Sequence, residues 1–188
     1  VGLWHLTETN QTLLELQNPS PEDLETIHSF KHPGRQKQWL GVRLLVKHLT
    51  GQKDGKINYD ENGKPYLPSG GLNISISHSG VYAAIAWSAC QKVGIDIEQI
   101  SDRINKVKER FLREDELASL PVPCLLEQLY VCWGGKEALF KISGNPGLDL
   151  RTDILIHPFD YLCNPKQTCQ ATLFHEGSVT QHTFHYRN

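Results

Sequence analysis

Residues 72–98 read LNISISHSGVYAAIAWSACQKVGIDIE, and the period of their apolar positions decides the fold class. Leu72, Ile74 and Ile76 alternate with Asn73, Ser75 and Ser77, and Val81 to Trp87 is an apolar run broken by small residues. Val93, Ile95 and Ile97 then alternate with Gly94, Asp96 and Glu98. A period of two is that of an extended chain with one buried face, and the short connections predict an antiparallel meander. Just upstream, Ile57 and Tyr59 lead into Asn62-Gly63, a strong hairpin turn signal, and Pro65-Tyr66-Leu67 leads out of it.

Outward from this core the period changes to that of helices. Ser20-Pro21-Glu22-Asp23 offers an N-cap hydroxyl, a proline suited to the first helical position and acids for the positive end of the helix dipole, so a helix to about Phe30 is expected. After the His32-Pro33-Gly34 break, Trp39, Val42, Val46 and Leu49 recur at helical spacing while Gln36, Arg43 and Lys47 share another face, up to Gly51. The second half repeats this order. Ile104, Val107 and Phe111 mark one helix, Arg113 to Leu120 a second, and Leu126, Leu129, Tyr130, Trp133 and Phe140 a third. Strands are expected at Ile154 to Ile156, Thr168 to Phe174 and Val179 to Tyr186. The chain therefore reads as α+β, with two lobes, 1–98 and 99–188, each of helices and a small, mainly antiparallel sheet. No low-complexity linker parts them, so a shared interface is expected.

Composition narrows the function. With 19 Lys+Arg against 21 Asp+Glu in 188 residues the net charge is −2, which argues against a nucleic-acid binder driven by bulk charge. The 39% hydrophobic and 21% charged residues are those of an ordinary globular protein. No apolar run approaches the roughly 18 residues of a membrane span, and VGLWHLTETN does not have the pattern of a secretory signal, so a cytoplasmic protein is expected. The five cysteines show neither a disulfide framework nor a CxxC pair and read as reduced, mostly structural thiols. The sequence holds no Met and stops at FHYRN, so both ends are read as trimmed.

Three groups of residues carry chemistry. Asp96 and Glu98 alternate, so an extended chain presents both carboxylates on one face. Two like charges that close call for a cation or a proton between them, and two hard oxygen ligands with room for water and phosphate suit Mg²⁺. The bland reading is the polar face of an edge strand. On the third helix of the second half, Glu137 and Lys141 in WGGKEALFK are four apart, the spacing of an ordinary surface ion pair contributing about 0.3–0.5 kcal/mol. Their apolar surroundings, and Gly134-Gly135 within a helix at up to about 1 kcal/mol per residue relative to Ala, suggest instead close approach of another group or tight packing. Third, His78 between Ser77 and Ser79 is placed to donate to a phosphate or to close a turn. Arg35, Lys37, Arg43 and Lys64 could add phosphate contacts or be solvated surface charge.

In order, a basic helix, Gly63-Lys64-Pro65, the SHSG turn at Ser77 to Gly80, GIDIE at Gly94 to Glu98, and W-x-x-KE-x-x-x-K from Trp133 through Lys136-Glu137 to Lys141 resemble the 4′-phosphopantetheinyl transferases. The likeness is to the single-chain surfactin-synthetase type and covers roughly residues 35 to 150. It implies two pseudo-symmetric α+β lobes with coenzyme A in the cleft between them, and Mg²⁺ on Asp96, Glu98 and Glu137. It further implies that Lys141 contacts the diphosphate and that Lys64, Ser77, His78 and one of Arg35, Lys37 and Arg43 hold the nucleotide phosphates. Glu137 is also the candidate base for the attacking serine. The implied reaction moves 4′-phosphopantetheine to an apo acyl or peptidyl carrier protein and releases adenosine 3′,5′-bisphosphate, in a monomer that binds neither nucleic acid nor membrane. Gly134-Gly135 departs from the bulkier or hydroxyl-bearing pair usual there, and the family usually ends with a further hydrophobic strand.

Two alternatives compete with transfer. One is a silent module that binds coenzyme A or a carrier without reacting; the other is a Mg²⁺-dependent phosphodiesterase, which would hydrolyse phosphate without a carrier. A zinc cluster of His182, His185 and His175 or Cys169 is disfavoured, because the odd separation of His182 and His185 sends them to opposite faces of a strand.

Overall fold

The computed structural model describes residues 1–121, 125–161, 167–175 and 177–187, so Cys124 and Cys163 lie outside the described residues. The chain divides into two compact units, Val1–Glu98 and Gln99–Asn188, each an α+β arrangement with an antiparallel sheet. Among the described residues no helix is long and apolar enough to cross a membrane, and Cys90, Cys132 and Cys169 are free thiols.

The first unit runs β1 (Gly2–His5), α1 (Asn10–Gln17), α2 (Pro21–Ser29), α3 (Pro33–Thr50), β2 (Asn58–Tyr59), β3 (Pro65–Tyr66), β4 (Asn73–Ser79) and β5 (Tyr82–Ser88). Local chemistry sets several of these bounds. Ser20 and Asp23 close a capping box on α2, each side chain accepting from the other's backbone N–H, which satisfies two donors a bare helix end leaves over. Gly51 ends α3 at φ 72°, a left-handed position that costs glycine nothing. At the β2–β3 hairpin Asp60 Oδ1 accepts from both Asn62 N and Lys64 N, an aspartate holding its own turn.

The sheet order is β1-β5-β4-β3-β2. Alternation gives β4 and β5 two different faces. Ile74, Ile85 and Ala83, with Val42, Val46 and Leu6, build the core against α3, and Ile76 and Trp87 pack on it. On the other face Ser75 lies opposite Ala86, and Ser77 opposite Ala84.

The segment expected to be a third long strand is not one. Residues 93–98 belong to no helix and no sheet. Two of their backbone donors go to side chains: Ile95 N donates to Ser75 Oγ at 3.1 Å and Ile97 N to Ser77 Oγ at 3.2 Å. Alternation of apolar residues reports only that a chain is extended with one face covered, and hydroxyls have here replaced a neighbouring backbone. Two N-terminal elements, β1 and α1, carry too little periodicity to be expected from sequence. β1 is four residues paired with β5, and α1 buries Leu13 and Gln17 alone.

In the second unit a 3₁₀ turn (Asp102–Lys106), α4 (Lys108–Phe111) and α5 (Glu114–Ser119) precede α6 (Leu126–Ser143), and β6 (Ile154–Ile156), β7 (Gln167–His175) and β8 (Ser178–Tyr186) form a sheet in that order. The helix expected across Ile104 to Phe111 is thus two short turns, which still bury Ile104 and Phe111 in the core with Leu129, Leu139, Ile154 and Leu173. Gly135 receives a packing explanation. A Cβ built there would meet the Phe184 ring of β8 at 2.5 Å, so α6 and β8 can approach only over a missing side chain.

Gly135→Ala should therefore destabilise the protein although alanine favours a helix. Overpacking costs about 1–3 kcal/mol against a propensity gain of about 1 kcal/mol. In urea denaturation the alanine variant is expected to unfold at lower denaturant, and Gly135→Ala with Phe184→Leu to regain much of the loss. A Gly135→Ala variant as stable as the parent would remove the steric reading.

Candidate active site

Ser77 and Ser79 sit on the same face of β4, two residues apart, and each donates to a carboxylate. Ser77 Oγ donates to Asp96 Oδ1 at 2.9 Å, and Ser79 Oγ to Glu98 Oε2 at 3.0 Å. One row of hydroxyls thus meets both carboxylates, which places Asp96 and Glu98 on one side of their segment as the sequence pattern predicts. Asp96 is half-buried and Glu98 exposed, so the pair is anchored at one end and accessible at the other. Hard oxygen donors on one face, with access for further oxygen ligands, suit a Mg²⁺ ion better than a soft metal.

His78 points the other way, to the helix side of β4. There Arg35, on the first turn of α3, brings Nη1 to 2.9 Å from His78 Nε2 and 3.3 Å from Nδ1, and also donates to Gln38 Oε1 at 3.1 Å. An exposed guanidinium beside an imidazole is a ready set of donors for a phosphate. The other two phosphate candidates on α3 are occupied differently. Lys37 Nζ donates to Leu6 O at 3.4 Å. Arg43 is 8% exposed and its guanidinium carbon lies 3.3 Å from the centre of the Trp39 ring. Burial pulls the Arg43 guanidinium down to about 10, opposed by Tyr59 and Asp23 nearby. Periodicity put Arg43 on a basic face; it could not say that an aromatic neighbour covers that face.

Lys64 follows the β2–β3 turn. Partial burial lowers its ammonium from the usual value, and the positive charge of Lys92 acts in the same direction, with Asp60 opposing. A second cation near Lys64 makes this end of the unit attractive to an anion. Nothing in the sequence around Lys92 connects it to Lys64.

In the second unit α6 carries WGGKEALFK. Lys136 is fully buried and gives all three of its protons: to Glu116 Oε2 at 2.7 Å, Ile154 O at 2.7 Å and Leu150 O at 3.0 Å. Glu116 is equally occupied, accepting from Arg113 N at 2.8 Å and Ile156 N at 2.7 Å. This fixes the rotation of α6 about its axis. At about 100° per residue, Glu137 and Lys141 fall on one neighbouring face, turned away from the Lys136 side, and both are half-buried. A buried lysine is rare, because desolvation lowers its charged form's stability; here burial is the main cause pulling Lys136 down, with Glu116 pulling it up. Sequence does not pair Lys136 with Glu116, since twenty residues separate them in the chain. His182, one of the two zinc candidates on β8, bonds to Thr180 Oγ1 at 2.9 Å.

The sequence model of the 4′-phosphopantetheinyl transferase superfamily matches residues 92–186, a span that starts just before GIDIE and includes all of WGGKEALFK. The chain is also 31% identical over 113 residues to the 4′-phosphopantetheinyl transferase gsp of Aneurinibacillus migulanus, an alignment covering 56% of this chain and 47% of that protein. It spans about half the length of that curated relative. With a family match across half its residues, the chain belongs to the 4′-phosphopantetheinyl transferase superfamily.

Proposed function

We propose that this protein transfers 4′-phosphopantetheine from coenzyme A to a serine of an apo acyl or peptidyl carrier protein and releases adenosine 3′,5′-bisphosphate. The observation that carries the reading is the pair Asp96 and Glu98, held side by side by Ser77 and Ser79 inside the span that the family match covers. Those two carboxylates and Glu137 are the ligands we assign to Mg²⁺, which when bound would neutralise the diphosphate and leave its β-phosphorus open to attack. Lys141 holds the diphosphate oxygens. Glu137 takes the proton of the carrier serine as its oxygen attacks phosphorus and the bond to the leaving phosphate breaks.

Among the basic residues of α3 the phosphate role falls best to Arg35, because it stands beside His78 while Arg43 is stacked on Trp39. The Arg35–His78 pair and the carboxylates use opposite faces of β4 and so suit a long ligand with separated phosphates, as coenzyme A is. Lys64 adds a cation for the same ligand, and Lys37 is the reserve on α3. The carrier partner is expected to be acidic. This function places the protein in the cytoplasm as a monomer that needs neither nucleic acid nor membrane.

The test is incubation with coenzyme A, Mg²⁺ and a panel of apo acyl and peptidyl carrier proteins, read by intact carrier mass. A gain of one phosphopantetheine that disappears with chelator is expected. Coenzyme A bound but no carrier modified would favour a silent binding module, and cleavage of coenzyme A without carrier would favour a phosphodiesterase.

A further inference from the structure

We propose that Ser77 and Ser79 are positioning residues that set the spacing and aim of the metal-binding carboxylates, a role that rests on the function proposed above. Residues 93–98 belong to no sheet among the described residues, yet Asp96 and Glu98 each stand opposite a serine of β4. The serine hydroxyls of β4 follow one row at every second residue. Ser75 accepts from Ile95 N, and Ser77 accepts from Ile97 N. Ser77 also donates to Asp96, and Ser79 donates to Glu98.

The chain of bonds has a direction. A hydroxyl owns one proton, and that of Ser77 goes to Asp96 Oδ1. Donating to a nucleotide phosphate, the role the family resemblance implies for Ser77, would require breaking that bond. Ser77 is 8% exposed, its neighbour across the sheet is Ala84, and the bond it accepts from Ile97 N takes a lone pair and leaves its one proton aimed at the carboxylate. His78, with its ring on the opposite face beside Arg35, serves the phosphate instead. The SHSG stretch thus divides its work by strand alternation: serines toward the metal carboxylates, histidine toward the phosphate.

A hydroxyl that donates to one carboxylate oxygen restricts the rotation of the group and leaves its other oxygen oriented for an ion. Partners of this kind change metal affinity by about 10- to 100-fold when removed. Ser75 provides an internal contrast, because it holds the backbone at Ile95 and touches neither carboxylate in these bonds.

The experiment uses the full chain and Mn²⁺ as the probe, with free Mn²⁺ followed by electron paramagnetic resonance and thermal melting recorded alongside. Ser77→Ala and Ser79→Ala are expected to weaken Mn²⁺ binding, Ser77→Ala by about tenfold or more. Ser79→Thr, which keeps the hydroxyl, should bind like the parent. Ser75→Ala should lower the melting temperature while moving Mn²⁺ affinity less than Ser77→Ala does. If both Ser77→Ala and Ser79→Ala bind Mn²⁺ as the parent does, whatever their melting temperatures, the positioning role is overturned and the proposed transfer stands. If the parent itself binds no Mn²⁺, the metal site and this inference fall together.

Discussion

Replacing Lys136 with methionine should cost the second unit more stability than Gly135→Ala does. The change removes an ammonium whose three bonds join α6 to α5, to the loop at Leu150 and to β6. It leaves Glu116 charged, 4% exposed and without its counter-ion. Breaking a buried pair from one side costs about 3–5 kcal/mol, which lowers a melting temperature by on the order of 10 °C in a protein of this size. Glu116→Leu with Lys136→Met should lose less than the sum of the two single changes, because neither charge is then stranded. The sum would not collapse to zero. Arg113 N and Ile156 N would still want acceptors, and an unsatisfied buried donor costs about 1–3 kcal/mol. A Lys136→Met protein that melts with the parent would show that α6 is held by its apolar contacts alone.

The second large effect is on chemistry and should leave the fold intact. Glu98→Ala removes an exposed carboxylate that contributes to no core cluster, so its melting temperature should stay near that of the parent. Transfer to a carrier should nevertheless fall. If Mg²⁺ supplies about 4 kcal/mol of charge stabilisation at the diphosphate, losing its proper seat slows the step about 10³-fold. Raising Mg²⁺ should recover part of that loss, because a weakened site can still be filled. Glu137→Gln should differ. It would lose transfer even at saturating Mg²⁺ if Glu137 removes the serine proton, since an amide cannot take it. Substantial turnover by Glu137→Gln under those conditions would assign the proton to water or to a group on the carrier. Unchanged transfer by Glu98→Ala would take Glu98 out of the metal site.

These two predictions differ in how visible their residues were in the sequence. Asp96, Glu98, Glu137 and Lys141 stood out because their spacing carries meaning by itself: two apart on an extended segment, four apart on a helix. The N-cap at Ser20 and the glycine that ends α3 were equally open to reading, since each depends on a few consecutive residues. The Lys136–Glu116 pair was hidden. A lysine next to a glutamate in WGGKEALFK looks like surface charge, and only the packing of α6 on β6 turns it inward.

The sequence by itself determined the α+β class, α2, α3, α6 and the three strands of the second unit, because periodicity and capping are local and survive without knowledge of neighbours. It also determined the family, through motifs whose residue types and spacing the chemistry requires. The tertiary structure alone decided matters that depend on partners distant in the chain. It covered Arg43 with Trp39 and set Arg35 against His78. It set Phe184 over Gly135, so that packing accounts for the glycine. It also took the expected third strand out of the sheet and fastened it to serine hydroxyls, because an alternating pattern records which face is covered and not what covers it.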